Sequence, residues 1–317
     1  MRNTLSRSSA AAGAGAAILA RLFYGMMVDG GGPLNGAWLA ALAGLLLALP
    51  ALWLMRTRPA IVAPALLGLL VLDAASALEC LGFSASFLAF SHVPIWVLML
   101  PPALAALRCA HLGGDAVGAS ARVWLWVLSA LMTVVVIGQR QYYRFAWIFP
   151  LLGHGAEDVL RSALKCAGWI TLLAGAAMLP CREAPRMGRV AGWTALAVAG
   201  AAALMLLRLM MAPPGVTVET SRTVRVDALL TNGRAPLYLQ GPMIVIWFMA
   251  MLHLLCYECT ICAAILEKWM KGAAGFAVVA LVLLLAMTRA FRLPWLFEIT
   301  WPLLVVLSAV GRGWGHA

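Results

Sequence analysis

The stretch that decides the fold is "MIVIWFMAMLHLLCYECTICAAILEKW", residues 243–269. It contains no glycine or proline and very few charges, so it predicts one unbroken helix of about 40 Å at about 1.5 Å per residue. The hydrocarbon core of a bilayer is about 30 Å thick, and about 20 apolar residues cross it. We therefore predict that this stretch is a transmembrane helix.

The whole chain has the composition of a membrane protein. Of its 317 residues, 64% are hydrophobic and 11% are charged, with a mean hydropathy of +0.94. Soluble domains are about 45–50% apolar and about 25% charged. The net charge of +11 comes from Arg and Lys residues that stand singly between apolar runs, a pattern typical of membrane orientation signals. We expect an all-α integral membrane protein whose surroundings are a lipid bilayer, and no nucleic-acid partner.

Ten apolar segments are predicted to span the membrane, within a single polytopic domain that covers residues 1–317. They lie at residues 9–28, 37–55, 60–90, 95–107, 122–138, 149–179, 190–211, 243–269, 273–287 and 293–310. The basic, Ala-rich start resembles a signal peptide, but Arg21 interrupts it, and we predict a first span there. The distribution of Arg and Lys favours a multi-pass membrane location with both termini in the cytoplasm and the longest loop, 212–240, outside.

Catalytic and metal-binding patterns are missing from the sequence. It has no P-loop, H-E-x-x-H or G-x-S-x-G pattern, so no enzyme is expected. Cys256, Cys259 and Cys262 have the spacing of a ligand run. On a straight helix, however, the first and last lie about 9 Å apart along the axis, whereas two sulfur ligands of one zinc lie within about 4.6 Å of each other. We therefore predict no metal and no other cofactor.

Polar residues inside the predicted spans are the candidate functional residues. Glu258 lies about 22 Å along its helix, counted from residue 243, with His253 and Tyr257 close to it in sequence. A charged side chain at this depth costs several kcal/mol, so it faces a cavity or a partner. Two interpretations stay open: a protonated structural carboxyl, or a residue that lines a ligand or proton path.

The first and third spans carry charges of opposite sign at equal depth. Arg21 and Asp73 both lie about 18–20 Å from the predicted inner ends of their helices. This equality predicts a buried ion pair, with the alternative that Arg21 extends to the membrane surface and never meets Asp73. Glu79 is a further acid within the third span.

Glycines interrupt two of the predicted spans. Gly13 and Gly15 lie in the first, and Gly168 lies in the sixth. Interrupted spans of this kind are typical of broken helices whose freed backbone groups surround a binding site at the membrane midplane. The alternative is that small residues simply let helices pack closely.

Several stretches resemble one known family. These are "LNGAWLAALAGLLLALPALWLMR" (34–56), "HVPIWVLMLPPALAALRCAHLGGDAVGASAR" (92–122), "FPLLGHGAEDVLRSALK" (149–165), "GPMIVIWFMAMLHLLCYECTICAAILEKW" (241–269) and "FEITWPLLVVL" (297–307). They are similar to segments of the spore germination permeases, the membrane-embedded B subunits of nutrient germinant receptors. That family belongs to the amino acid–polyamine–organocation transporter superfamily.

The resemblance implies a fold and a function. It implies ten helices in a five-plus-five inverted repeat, with helices 1 and 6 broken at the midplane. It also implies that the protein binds an amino acid or similar small germinant in a central cavity, beside A and C subunits of a receptor, in the cell membrane or the spore inner membrane. Backbone amides near Gly13, Gly15 and Gly168 would then hold a carboxylate. Glu258 and Tyr257 would hold an ammonium group, with His253 in the same site.

The sequence also departs from the family. Gly13-Ala14-Gly15 is its nearest match to the family's G-T-G break, and Gly168 is followed by Trp169 where the family often has a carboxylate. These departures favour sensing over an active transport cycle. The alternatives are an amino acid transporter of the vegetative cell membrane and a structural membrane subunit that binds no ligand.

Overall fold

The structure is a computed structural model that describes residues 7–27, 36–57, 59–88, 90, 92–139, 143–149, 151–152, 155–178, 187–211, 237–267, 269–288 and 296–313. Within these residues the chain forms ten α-helices and one short 3-10 helix, and no strand. The predicted all-α fold is confirmed.

The helices are numbered in chain order. They are α1 (Arg7–Met27), α2 (Ala37–Thr57), α3 (Pro59–Leu88), α4 (Ile95–Leu112), α5 (Gly114–Gln139), α6 (Ala156–Ala176), α7 (Met187–Met211), α8 (Leu237–Leu266), α9 (Ala274–Thr288) and α10 (Leu296–Gly313). The 3-10 helix, Phe145–Ile148, lies between α5 and α6.

Each predicted span corresponds to one helix, and the largest differences are in helix length. The fourth span continues to Leu112, and the fifth begins at Gly114 rather than at residue 122. Gly113, with φ of 85°, ends α4 and donates its N–H to the carbonyl of Cys109 at 2.9 Å. A single glycine therefore separates two helices because it adopts a conformation that other residues rarely reach.

The predicted loop 212–240 is shorter than expected at its far end, because α8 already begins at Leu237. Residues 212–236 lie outside the described part of the chain, as do both termini, residues 1–6 and 314–317.

Six helices, α2, α3, α4, α6, α7 and α8, are long and apolar enough to cross a membrane. Shorter apolar segments lie in α1, α9 and α10. Prolines within α2, α3, α4 and α10 are tolerated because neighbouring helices can satisfy the backbone groups that a proline frees. These features identify a multi-pass membrane protein.

The helices pack as two groups with two flanking helices. Group A consists of α1, α2, α6 and α7, and its closest pairs are α2 with α6 and α1 with α7. Group B consists of α3, α4, α8 and α9, and its closest pairs are α3 with α8 and α4 with α8. Helix α5 packs against α1 and α8, and α10 packs against α6 and α2.

Helix α1 lies in the core, where it is the group A helix that also packs against α8 of group B. Every residue from Ser9 to Leu22 is buried, although the sequence over residues 10–17 is only "AAAGAGAA". Small residues let neighbouring backbones approach: a Cβ placed on Gly15 would lie 3.2 Å from the backbone carbonyl oxygen of Trp193 in α7. The weak hydropathy of this helix therefore reflects close packing inside the protein.

Candidate functional site

Arg21 and Asp73 form an ion pair in the core. Nη2 of Arg21, on α1, lies 2.8 Å from Oδ1 of Asp73, on α3, and both side chains are 1% exposed. The structure thus brings together the two residues whose equal depth predicted a pair. Each charge would be costly alone in the membrane interior, so the pair links α1 to α3.

Glu258 of α8 joins this pair. Its side chain is fully buried, and its carboxyl lies beside that of Asp73 and close to Arg21. One guanidinium and two carboxyls carry no net charge when the two acids hold one proton between them. We call Arg21, Asp73 and Glu258 the charge cluster.

Trp169 of α6 covers the cluster. The guanidinium carbon of Arg21 lies 4.8 Å from the centroid of the Trp169 ring, a cation–π distance. The same ring packs against Gly25 of α1, where a Cβ would collide with it. The sequence had marked Trp169 only as a departure from the family pattern. Four helices, α1, α3, α6 and α8, therefore meet at the cluster.

Tyr257 of α8 contacts both α6 and α1. Its hydroxyl donates a hydrogen bond of 2.8 Å to the backbone carbonyl of Leu173. A Cβ on Gly13 would lie 3.3 Å from the Tyr257 ring, so the glycine lets the ring pack on the α1 backbone. Tyr257 thus has a packing partner and a hydrogen-bond acceptor within the protein.

His253 lies about one turn before Tyr257 and bridges α1 and α5. Its Nε2 lies 3.3 Å from the carbonyl oxygen of Gly13, so Nε2 is the donor. Its Nδ1 lies 3.5 Å from the hydroxyl of Ser120, and its ring stacks on Trp124 at 6.0 Å between centroids. His253 therefore connects two helices on the side of α8 that faces α1 and α5.

The glycines do not break their helices. Helix α1 is continuous through Gly13 and Gly15, and α6 is continuous through Gly168. The expected midplane breaks are thus not present in these helices, and ligand binding near these glycines stays a prediction. The physical reason is packing: Gly13 and Gly15 accommodate the side chain of Tyr257 and the backbone of α7.

The remaining candidates lie apart from the cluster. Glu79 is partly buried and lies about 9 Å beyond Asp73 along α3. Helix α8 continues through its three cysteines, whose thiols are free, and Cys256 contacts Cys109 of α4. Among the described residues, no three potential ligands are placed to hold a metal ion.

The charge cluster offers chemistry that the rest of the core does not. It presents one donor for an anionic group and two acceptors for a cationic group or a proton, all shielded from water. The depth of Glu258 could be predicted from the sequence. Its contact with Arg21 and Asp73 could not, because depth does not tell which helices are neighbours.

No family model matches the sequence, and no curated protein matches it.

Proposed function

We propose that this chain is a membrane protein of the spore germination permease type, which binds an amino acid or similar small germinant in its helical core. The observation that carries the proposal is the charge cluster. Its buried charges lie between helices α1, α3, α6 and α8, where the fold implied by the resemblance would place a ligand. Buried ionisable groups in membrane spans are typical of substrate and ion pathways.

The helix contacts support a five-plus-five repeat. If helices α1–α5 correspond in order to α6–α10, contacts between helices should recur between their counterparts, and most of the larger contacts do so; α2–α10, with no α5–α7 counterpart among them, is an exception. The pairs α1–α7 and α2–α6 match in this way, as do α1–α5 and α6–α10. In the same way, the α3–α9 contact corresponds to α4–α8, and the α3–α4 contact corresponds to α8–α9. The α5–α8 contact corresponds to α3–α10. With five helices in each half, alternating spans would make this repeat an inverted one.

Close contacts at glycines support the same correspondence. Along α1 and α7, Gly15 meets Trp193 and Gly200 meets Leu19, so these helices run in the same direction. Their counterparts α2 and α6 also run in the same direction, because Gly44 meets Cys166 and Gly175 meets Met55.

The cluster lies where the two groups meet. Arg21 and Trp169 belong to group A, whereas Asp73 and Glu258 belong to group B. A ligand bound there would change the contact between the groups, and A and C subunits of a receptor could sense that change. The proposal includes both termini in the cytoplasm, a cell membrane or spore inner membrane location, and no enzymatic activity.

A gene deletion in the organism that encodes the chain tests the proposal. Spores without the gene should fail to germinate in an amino acid mixture, yet germinate with agents that bypass receptors. Complementation with Glu258→Gln, at normal protein level, should weaken the response, and complementation with Glu79→Gln should restore it. Unchanged germination with loss of amino acid uptake by growing cells would identify a transporter instead. Loss of neither would favour a structural subunit.

A further inference from the structure

We infer that the ligand of this site is a zwitterion whose carboxylate binds Arg21 and whose ammonium group binds Asp73 and Glu258. In the structure Arg21 and Asp73 neutralise each other, and the carboxylate of the ligand would take the place of Asp73 on the guanidinium. This inference rests on the proposed function and names the ligand class and the residue that receives each end of the ligand.

The continuity of the helices removes the other carboxylate receptor. Helices α1 and α6 run without a break through Gly13, Gly15 and Gly168. Backbone amides within a continuous helix already donate to carbonyls one turn earlier, so they cannot also bind a ligand. A carboxylate in this core must therefore be bound by a side chain. Among the described residues, Arg21 is the one buried Arg or Lys.

The charge count favours a zwitterion over small molecules that carry a net charge. The cluster is neutral with one proton on its two acids, and a zwitterion adds no net charge. Its carboxylate can replace Asp73 on the guanidinium, while its ammonium group would contact the two acids. An amine without a carboxylate, or an acid without an amine, would leave a charge without a counterpart in the dry core, at a cost of several kcal/mol.

The geometry provides a separate partner for each end. Oδ1 of Asp73 lies 2.8 Å from Nη2 of Arg21, at the edge of the guanidinium. The Trp169 ring covers one face of the guanidinium, with its centroid 4.8 Å from the guanidinium carbon. Glu258 lies beside Asp73 with its side chain fully buried, so an ammonium donor placed there would contact both acids. Binding would thus replace one internal ion pair by two charge-assisted contacts.

The first test uses purified full-length protein in detergent and follows its thermal unfolding. Three equimolar mixtures are compared: the standard amino acids, their carboxyl amides and their N-acetyl derivatives. Only the amino acids should raise the unfolding temperature, because each derivative lacks one charge. If the amides stabilise equally, the assignment of Arg21 to the carboxylate is wrong, although the proposed function survives. If no mixture stabilises the protein, the proposed function itself fails.

The second test uses variants that keep the fold. Arg21→Met/Asp73→Leu removes both charges together, and such replacements of buried pairs are often tolerated. This double variant should unfold near the wild-type temperature but need an amino acid concentration about 10- to 100-fold higher for a half-maximal shift. Glu79→Gln, on the same α3 helix, is the matched control and should respond like the wild type. An unchanged response of the double variant would overturn the inference.

Discussion

Removing one member of the charge cluster should cost stability by an amount that depends on which member is lost. Arg21→Met leaves the two carboxyls of Asp73 and Glu258 in the core without a positive charge beside them. Asp73→Leu leaves Arg21 beside Glu258, which can give up its proton and take over the ion pair. We therefore expect the arginine variant to be the less stable of the two.

The magnitude follows from the distance between the charges. At the observed 2.8 Å, two unit charges attract by about 6 kcal/mol if the effective dielectric constant is about 20. Part of this attraction offsets the cost of removing the charges from water, so breaking a buried pair costs about 3–5 kcal/mol. We expect about that loss for Arg21→Met and about 1–3 kcal/mol for Asp73→Leu, since Glu258 compensates there.

The double variant Arg21→Met/Asp73→Leu completes a double-mutant cycle. Arg21→Met/Asp73→Leu leaves no unpaired charge apart from Glu258, which stays neutral when protonated, so its loss should be smaller than the sum of the single losses by at least about 2 kcal/mol. The free energy of unfolding is measured by titration with sodium dodecyl sulfate in mixed micelles, followed by circular dichroism. Additive losses would refute the pairing. Equal losses for the two single variants would refute the takeover by Glu258.

Gly44→Ala should destabilise the protein by about 1–3 kcal/mol, because the added Cβ would lie 2.6 Å from the Cβ of Cys166 in α6. Gly68→Ala has open space around the added Cβ and should be neutral or stabilising in the same unfolding titration. Tyr257→Phe removes a hydroxyl that donates to a backbone carbonyl of α6, and should cost about 1 kcal/mol in that assay. Replacing the three α8 cysteines by alanine should leave the helical circular dichroism spectrum unchanged, and native mass spectrometry should detect no bound metal before or after the change. Single cysteines at Ser8 and His316, in a cysteine-free background, should resist impermeant thiol reagents added from outside; labelling at either position would place that terminus outside.

Depth in the membrane could be predicted from the sequence, but lateral position could not. Counting residues from the helix ends placed Arg21 and Asp73 at one level, and the structure pairs them. The same counting could not place Glu258 or Trp169 in that pair, because α3 and α8 are apolar on all sides and carry no face pattern that points to a neighbour. The glycine pattern predicted breaks that are not present, since close packing uses the same residues.

The Ala-Gly centre of α1 has a consequence for the entropy of folding. Alanine and glycine lose no side-chain rotamer freedom when they are buried, whereas leucine or isoleucine loses about 0.5–1 kcal/mol each. Helix α1 is therefore ordered at almost no side-chain entropy cost over residues 10–17, although all of these residues are buried. The same residues have no side chains long enough to interlock with neighbouring helices. Displacement of α1 along its axis is then resisted by the larger side chains that follow, Ile18, Leu19 and Leu22, and by polar contacts that include those of Arg21 and the Gly13 carbonyl.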